Sequence, residues 1–78
     1  MNNAHHLFYI WSYEHAAWWR AGEEGYTRDI AEAGRYSESR ARFILMRANQ
    51  FRPPEDPHEV LVPQDEVSEF LETLGYDS

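Results

Sequence analysis

The 78-residue chain contains no cysteine and no lysine, only four glycines and four prolines, and its last 26 residues hold no arginine either. Without cysteine there is no disulfide framework, no thiolate metal site and no thiol nucleophile. The absence suits a reducing compartment. No apolar run approaches the 18 or so residues of a membrane span. The opening MNNAHH lacks a basic n-region followed by an apolar stretch, so no signal peptide is expected. The glycines are too few and too scattered for a phosphate-cradling loop, and no Gly-x-Ser-x-Gly, P-loop or dinucleotide fingerprint occurs. The expectation is one soluble, cytoplasmic domain over residues 1–78, with residues 1–6 flexible and residues 64–78 forming an acidic C-terminal helix.

What is present is unevenly spread. Residues 1–19 carry one acid, Glu14; residues 20–52 carry all seven arginines against five acids; residues 53–78 carry eight acids. A net charge of −7 on so small a domain argues against nucleic acid or an anionic membrane as a direct partner. It favours a basic protein partner, or solubility alone. All three tryptophans fall within nine positions, in YIWSYEHAAWWRAG. A chain this short buries only about 60–65% of its unfolded surface, so each large ring matters to the core.

Leu7–Tyr13 is rich in aromatic and β-branched residues and reads as a strand, apolar on both faces and therefore central to its sheet. Trp18-Trp19-Arg20 is expected to return antiparallel after a short loop, with a helical turn through Ala16 and Ala17 as the rival. Ile30–Ala33 suggests one helical turn closed by Gly34. Ser37 reads as the N-cap of a helix from Glu38 to about Gln50, with Ala41, Ile44, Leu45, Ala48 and Phe51 as its apolar stripe. Three prolines in Pro53–Pro57 force a non-helical connection. A short strand at Glu59–Val62 follows. A last helix, capped by Asp65 or Gln64, repeats the stripe at Val67, Phe70, Leu71 and Leu74 and ends at Gly75. The expected fold class is α+β: a small antiparallel sheet of two to three strands with two helices packed on one face, in the order β-β-α-β-α.

No metal or other cofactor is expected. His5, His6, His15 and His58 show neither the i, i+4 helical pair nor a Cys/His ligand spacing. Glu14 and His15 are adjacent along a strand and point to opposite faces, so they make a poor acid–base dyad, and the chain is not expected to be an enzyme. Two surfaces remain as candidates. Trp18 and Trp19 cannot enter one core from the same side. One is expected beside Trp11 and the other at least partly exposed, unless the Pro53–Pro57 segment or the last helix covers it. Flanked by Arg20, an exposed indole has the composition of an interface anchor. Arg40, Phe43 and Arg47 form a second ridge on the first helix at i, i+3, i+7, either a solvated face or a patch that pairs with acids of this chain's tail or of a partner. The second surface is acidic. Asp65 lies beside Glu66, Glu69 and Glu72, which project outward at i, i+3, i+6, neighbouring carboxylates about 5–6 Å apart. That spacing is close to that of successive phosphates on a nucleic-acid strand, although an ordinary solvated helix gives the same pattern.

From Tyr9 to Pro63 the chain resembles small uncharacterised proteins of phages and prophages. The residues that carry the likeness are Ile10-Trp11-Ser12, Glu14-His15, Trp18-Trp19-Arg20, Gly25-Tyr26-Thr27, Asp29-Ile30 and Glu32-Ala33-Gly34-Arg35-Tyr36-Ser37, then Ala41, Ile44, Ala48-Asn49 and Val62-Pro63. The acidic extension after Pro63 looks like an addition to that pattern. By class and composition the chain is similar to phage inhibitors of host defence, anti-CRISPR proteins among them. The resemblance implies a protein that binds a host protein or ribonucleoprotein complex in a basic groove, as a nucleic-acid mimic. The alternative is a structural or housekeeping phage protein that self-associates as a homodimer through its aromatic face.

Overall fold

The aromatic run Leu7–Ser12 forms β1, the central strand of the sheet. A computed structural model describes residues 6–53 and 55–75; of the terminus expected to be flexible at residues 1–6, residues 1–5, His5 among them, lie outside the described residues. Ala17–Trp19 forms β2, antiparallel to β1 with Trp18 opposite Trp11, so the hairpin is the correct reading and the helical turn is not. The chain then makes β3 at Tyr26–Thr27 and β4 at Tyr36–Ser37. Helix α1 covers Glu38–Ala48, β5 covers Glu59–Pro63, and α2 covers Val67–Thr73.

The five strands make one curled antiparallel sheet. Strand β5 lies along one edge of β1, pairing from Phe8↔Pro63 to Ser12↔Glu59. The other edge is shared: β4 pairs with Leu7 and Phe8, β2 with Trp11 and Ser12, and β3 adds outside β2. The sheet therefore has more strands than the two to three expected, because β3 and β4 are only two residues long and exist through their partners.

Successive side chains of β1 point to opposite faces, and both faces are covered. Ile10 joins Tyr36, Ala41 and Ile44 in a core beneath α1, with Phe8, Trp19, Leu45 and Leu61 against it. Trp11 joins Trp18 and Val62 in a second core, closed by Phe70 and Leu71 of α2 and by Leu74 at its C-cap. The helices thus lie on opposite faces of the sheet, not on one. A strand apolar on both sides needs a cover on each.

Several local devices fix this arrangement. The hydroxyl of Ser37 accepts the Arg40 N–H at 3.3 Å and caps α1. Asp29 caps a 3₁₀ turn over Ile30–Glu32 by accepting the Ala31 N–H at 3.0 Å. That turn ends at Ala33, while Gly34 serves another purpose. A Cβ at Gly34 would meet the Ala21 nitrogen at 2.4 Å, so glycine lets two backbone segments touch there, and its N–H donates to the Trp19 carbonyl at 2.8 Å. The Tyr36 hydroxyl donates to the Arg20 carbonyl and accepts the Glu23 N–H, tying β4 to the end of β2.

Helix α1 stops at Ala48, and Asn49 at its C-cap turns its side chain onto β5. Its Oδ1 accepts the N–H groups of His58 and Glu59 at 2.9 and 3.1 Å, and its Nδ2 donates to the Glu59 carbonyl at 3.0 Å. Phe51, expected in the inward stripe, lies beyond the helix end and is 89% exposed. Helix α2 follows a 3₁₀ turn over Gln64–Glu66, and Glu66 stands at its N-cap without a side-chain cap bond, so the expected cap is replaced by the turn. The expected helical span over residues 64–78 shortens to Val67–Thr73 at its α-helical part, and residues 76–78 lie outside the described residues.

Candidate functional site

The two adjacent indoles part company at the sheet. Trp18 is 1% exposed, edge-on to Trp11 at 4.9 Å between ring centroids, with Tyr9 and Phe70 at 5.5 and 5.9 Å. Trp19 is half-buried on the opposite face, where Ile44 and the other residues of the α1 core cover it. Neither the Pro53–Pro57 segment nor the last helix is its main cover. Its indole Nε1 is buried without a hydrogen-bond partner among the described residues. Arg20 is committed to the fold: its guanidinium donates to the Tyr26 carbonyl at 3.2 Å and to Glu32 at 2.9 Å. Trp18, Trp19 and Arg20 are therefore brought together in sequence but not into one surface.

The α1 ridge is more open. Arg40 pairs with Glu23 at 2.6 Å, in the loop after β2 rather than in the acidic tail. Phe43 is 46% exposed, with the Arg47 guanidinium 5.7 Å from its ring centroid. Met46, one turn on, is 62% exposed. Arg47 has no ion-pair partner among the described residues, and it borders a cleft of about 260 Å³ over Trp19, Glu23, Ile44 and Gln50. Met46 lies outside the Arg40, Phe43 and Arg47 ridge, at i+3 from Phe43.

The acidic face differs from four of the other carboxylates. Glu23, Glu32, Glu38 and Asp56 each meet an arginine between 2.6 and 2.9 Å. Asp65, Glu66, Glu69 and Glu72 are exposed, and none meets a cation among the described residues. The inward stripe of Phe70, Leu71 and Leu74 holds them on the outer side of α2. Between α2 and β5 runs a groove of about 210 Å³ bounded by Glu66, Glu69, Phe70 and Pro63.

Glu14 and His15 do not form a pair. Glu14 Oε1 lies 3.4 Å from His58 Nδ1, and the His15 ring stacks on Tyr26 at 3.9 Å. Burial raises the Tyr26 phenol above its ordinary pKa, and the nearby carboxylates of Glu59 and Glu14 add to the rise. Among the described residues no three His, Asp or Glu side chains are grouped to hold a metal ion, and no helix is long and apolar enough to cross a membrane. No protein-family model, curated protein or solved structure matches the chain.

Proposed function

We propose that the protein is a phage-borne inhibitor of a host defence complex, of the anti-CRISPR kind, acting by protein–protein contact in the host cytoplasm and without catalysis of its own. Its acidic face occupies a basic groove that otherwise holds nucleic acid. The observation that carries this reading is the exposed set Asp65, Glu66, Glu69 and Glu72, which meets no cation among the described residues, while four other acids there pair with arginine. Unpaired, like-signed charges steer association with a basic partner and make it sensitive to salt.

The test is capture from host lysate at low and high salt, with the wild-type chain and a variant carrying Glu66→Lys, Glu69→Lys and Glu72→Lys. The expected result is a captured complex that salt releases and that the triple variant fails to retain. Capture that survives the triple reversal defeats the acidic-face reading. A second reading has its own observation: Phe43, Met46 and Phe51 leave apolar area exposed on and beyond α1. It makes the chain a structural module that forms a homodimer through that face, and its mark is self-association that persists or strengthens as salt rises.

A further inference from the structure

We infer that the outer edge of β5 takes up an extended segment of the partner by antiparallel strand addition, and that this segment alternates apolar and basic side chains. The inference rests on the reading of α2 as a partner surface and adds the mode and register of contact. The Tyr13 N–H donates to the His58 carbonyl at 2.7 Å, which sets the alternation of the β1–β5 ladder. Trp11/Val60 and Tyr9/Val62 are then the pairs that exchange main-chain hydrogen bonds. The main-chain groups of Glu59, Leu61 and Pro63 face away from β1.

These three positions are not equivalent. The Glu59 N–H and carbonyl are both taken by the Asn49 side chain, which stands where a neighbouring strand would be. Pro63 has no N–H to offer. Only Leu61 presents a donor and an acceptor, and neither has a partner among the described residues. An incoming strand is thereby held in one register, with one of its residues opposite Leu61 exchanging two hydrogen bonds.

The walls specify the side chains. A residue opposite Leu61 points, like Leu61, to the α1 side. There a groove of about 510 Å³ is lined by Leu45, Met46, Pro53 and Pro57, and its bordering arginines, Arg42 and Arg52, already pair with Glu38 and Asp56. That wall accepts an apolar residue. The next residue points to the α2 side, into the groove of Phe70, Glu66 and Glu69. A lysine or arginine there lays its stem on Phe70 and its cationic head against carboxylates that meet no other cation among the described residues.

The probe is a fluorescein-labelled eight-residue peptide alternating valine and lysine, measured by anisotropy with the full chain, together with hydrogen exchange at the Leu61 amide. The controls are a valine–glutamate peptide and two N-methylated versions of the valine–lysine peptide, one methylated on valines and one on lysines. The expected results are saturable binding, Leu61 exchange slowed tenfold or more, and at least tenfold weaker binding for the valine-methylated and valine–glutamate peptides. Glu66→Lys with Glu69→Lys weakens binding to the same degree, and lysine methylation is tolerated. Binding that needs the carboxylates but ignores valine methylation overturns strand addition and leaves the acidic-face reading standing. No binding also overturns strand addition, and lysate capture then decides the acidic face separately. Concentration-dependent protection of Leu61 without peptide places a second copy on the edge and overturns the assignment to a partner.

Discussion

Trp18 and Trp19 share a strand and sit in different cores, so the same substitution has different consequences at the two positions. Trp18→Phe removes part of a ring packed against Trp11, Tyr9 and Phe70, and destabilises the fold by about 1–3 kcal/mol. Trp19→Phe loses less buried area, because that ring is only half-buried, and also removes a buried N–H that has no partner among the described residues, whose desolvation costs about 1–3 kcal/mol. The two effects offset, and the net change at Trp19 stays within about 1 kcal/mol. Urea denaturation of the two variants reads the difference directly. Tyr36 gives a prediction in pH. Its phenol is raised above the ordinary 10.0, first by burial, with the Glu23 carboxylate adding and the Glu23 N–H and Arg40 opposing. The folded state keeps this proton longer than the unfolded chain, so unfolding above pH 10.0 releases it. The stabilisation is fully present below that pH and is lost as pH rises through the folded-state value. Denaturation midpoints at pH 8 and at intervals above 10 should fall with pH. Tyr36→Phe should be less stable at pH 8, having lost two hydrogen bonds, yet should show a shallower fall.

Between elements, the contacts that decide the architecture are ones that join distant residues. Asn49 ties the end of α1 to β5 through three hydrogen bonds. Asn49→Ala leaves those backbone groups unpaired, and about 2–3 kcal/mol of stability is lost, with faster exchange at the His58 and Glu59 amides. Gly34→Ala forces a Cβ into the Ala21 backbone and costs a similar amount through displacement of two packed segments. Sequence periodicity reaches the parts of this fold that are locally encoded. The central β1, the capped α1 and the stripe of α2 are all legible that way, as is the outward set of Glu66, Glu69 and Glu72. It does not reach β3 and β4, since Tyr26-Thr27 and Tyr36-Ser37 become strands only when Trp18-Trp19 and Leu7-Phe8 lie beside them. A helical stripe tells which residues turn inward but not which side of the sheet receives them. The two apolar faces of β1 held that information, and they require one helix on each. The open position at Leu61 was invisible for the same reason, because it is defined by what Asn49 and Pro63 do to the rest of the edge.

Across the described residues, four arginine–carboxylate pairs lie before Glu59, and the acids from Asp65 to Glu72 meet no cation. The four arginine–carboxylate pairs are partly exposed and worth about 0–1 kcal/mol each, so they set local geometry more than stability. Helix α2 has an acid in its first turn, where the helix dipole favours it, but no base in its last turn. Glu72 stands near that C-terminal end and one turn from Glu69, so its charge is unfavourable on both counts, by about 0.2–0.5 kcal/mol for the like-charge pair alone. Glu72→Lys reverses both effects. The free protein should gain about 0.5–1 kcal/mol at low ionic strength, which for a domain of this size is a rise of about 2–8 °C in Tm. The gain should shrink in 0.5 M sodium chloride as screening shortens the reach of each charge. Capture of a basic partner should weaken in the same variant. These opposite signs separate a working surface from a solvated one. An acid that only keeps the protein in solution can be exchanged for a more stabilising lysine with no loss of capture, and that outcome would sink the acidic-face reading. An acid kept for a partner is retained at a small cost to the fold, and removing it makes the molecule sturdier and the complex weaker.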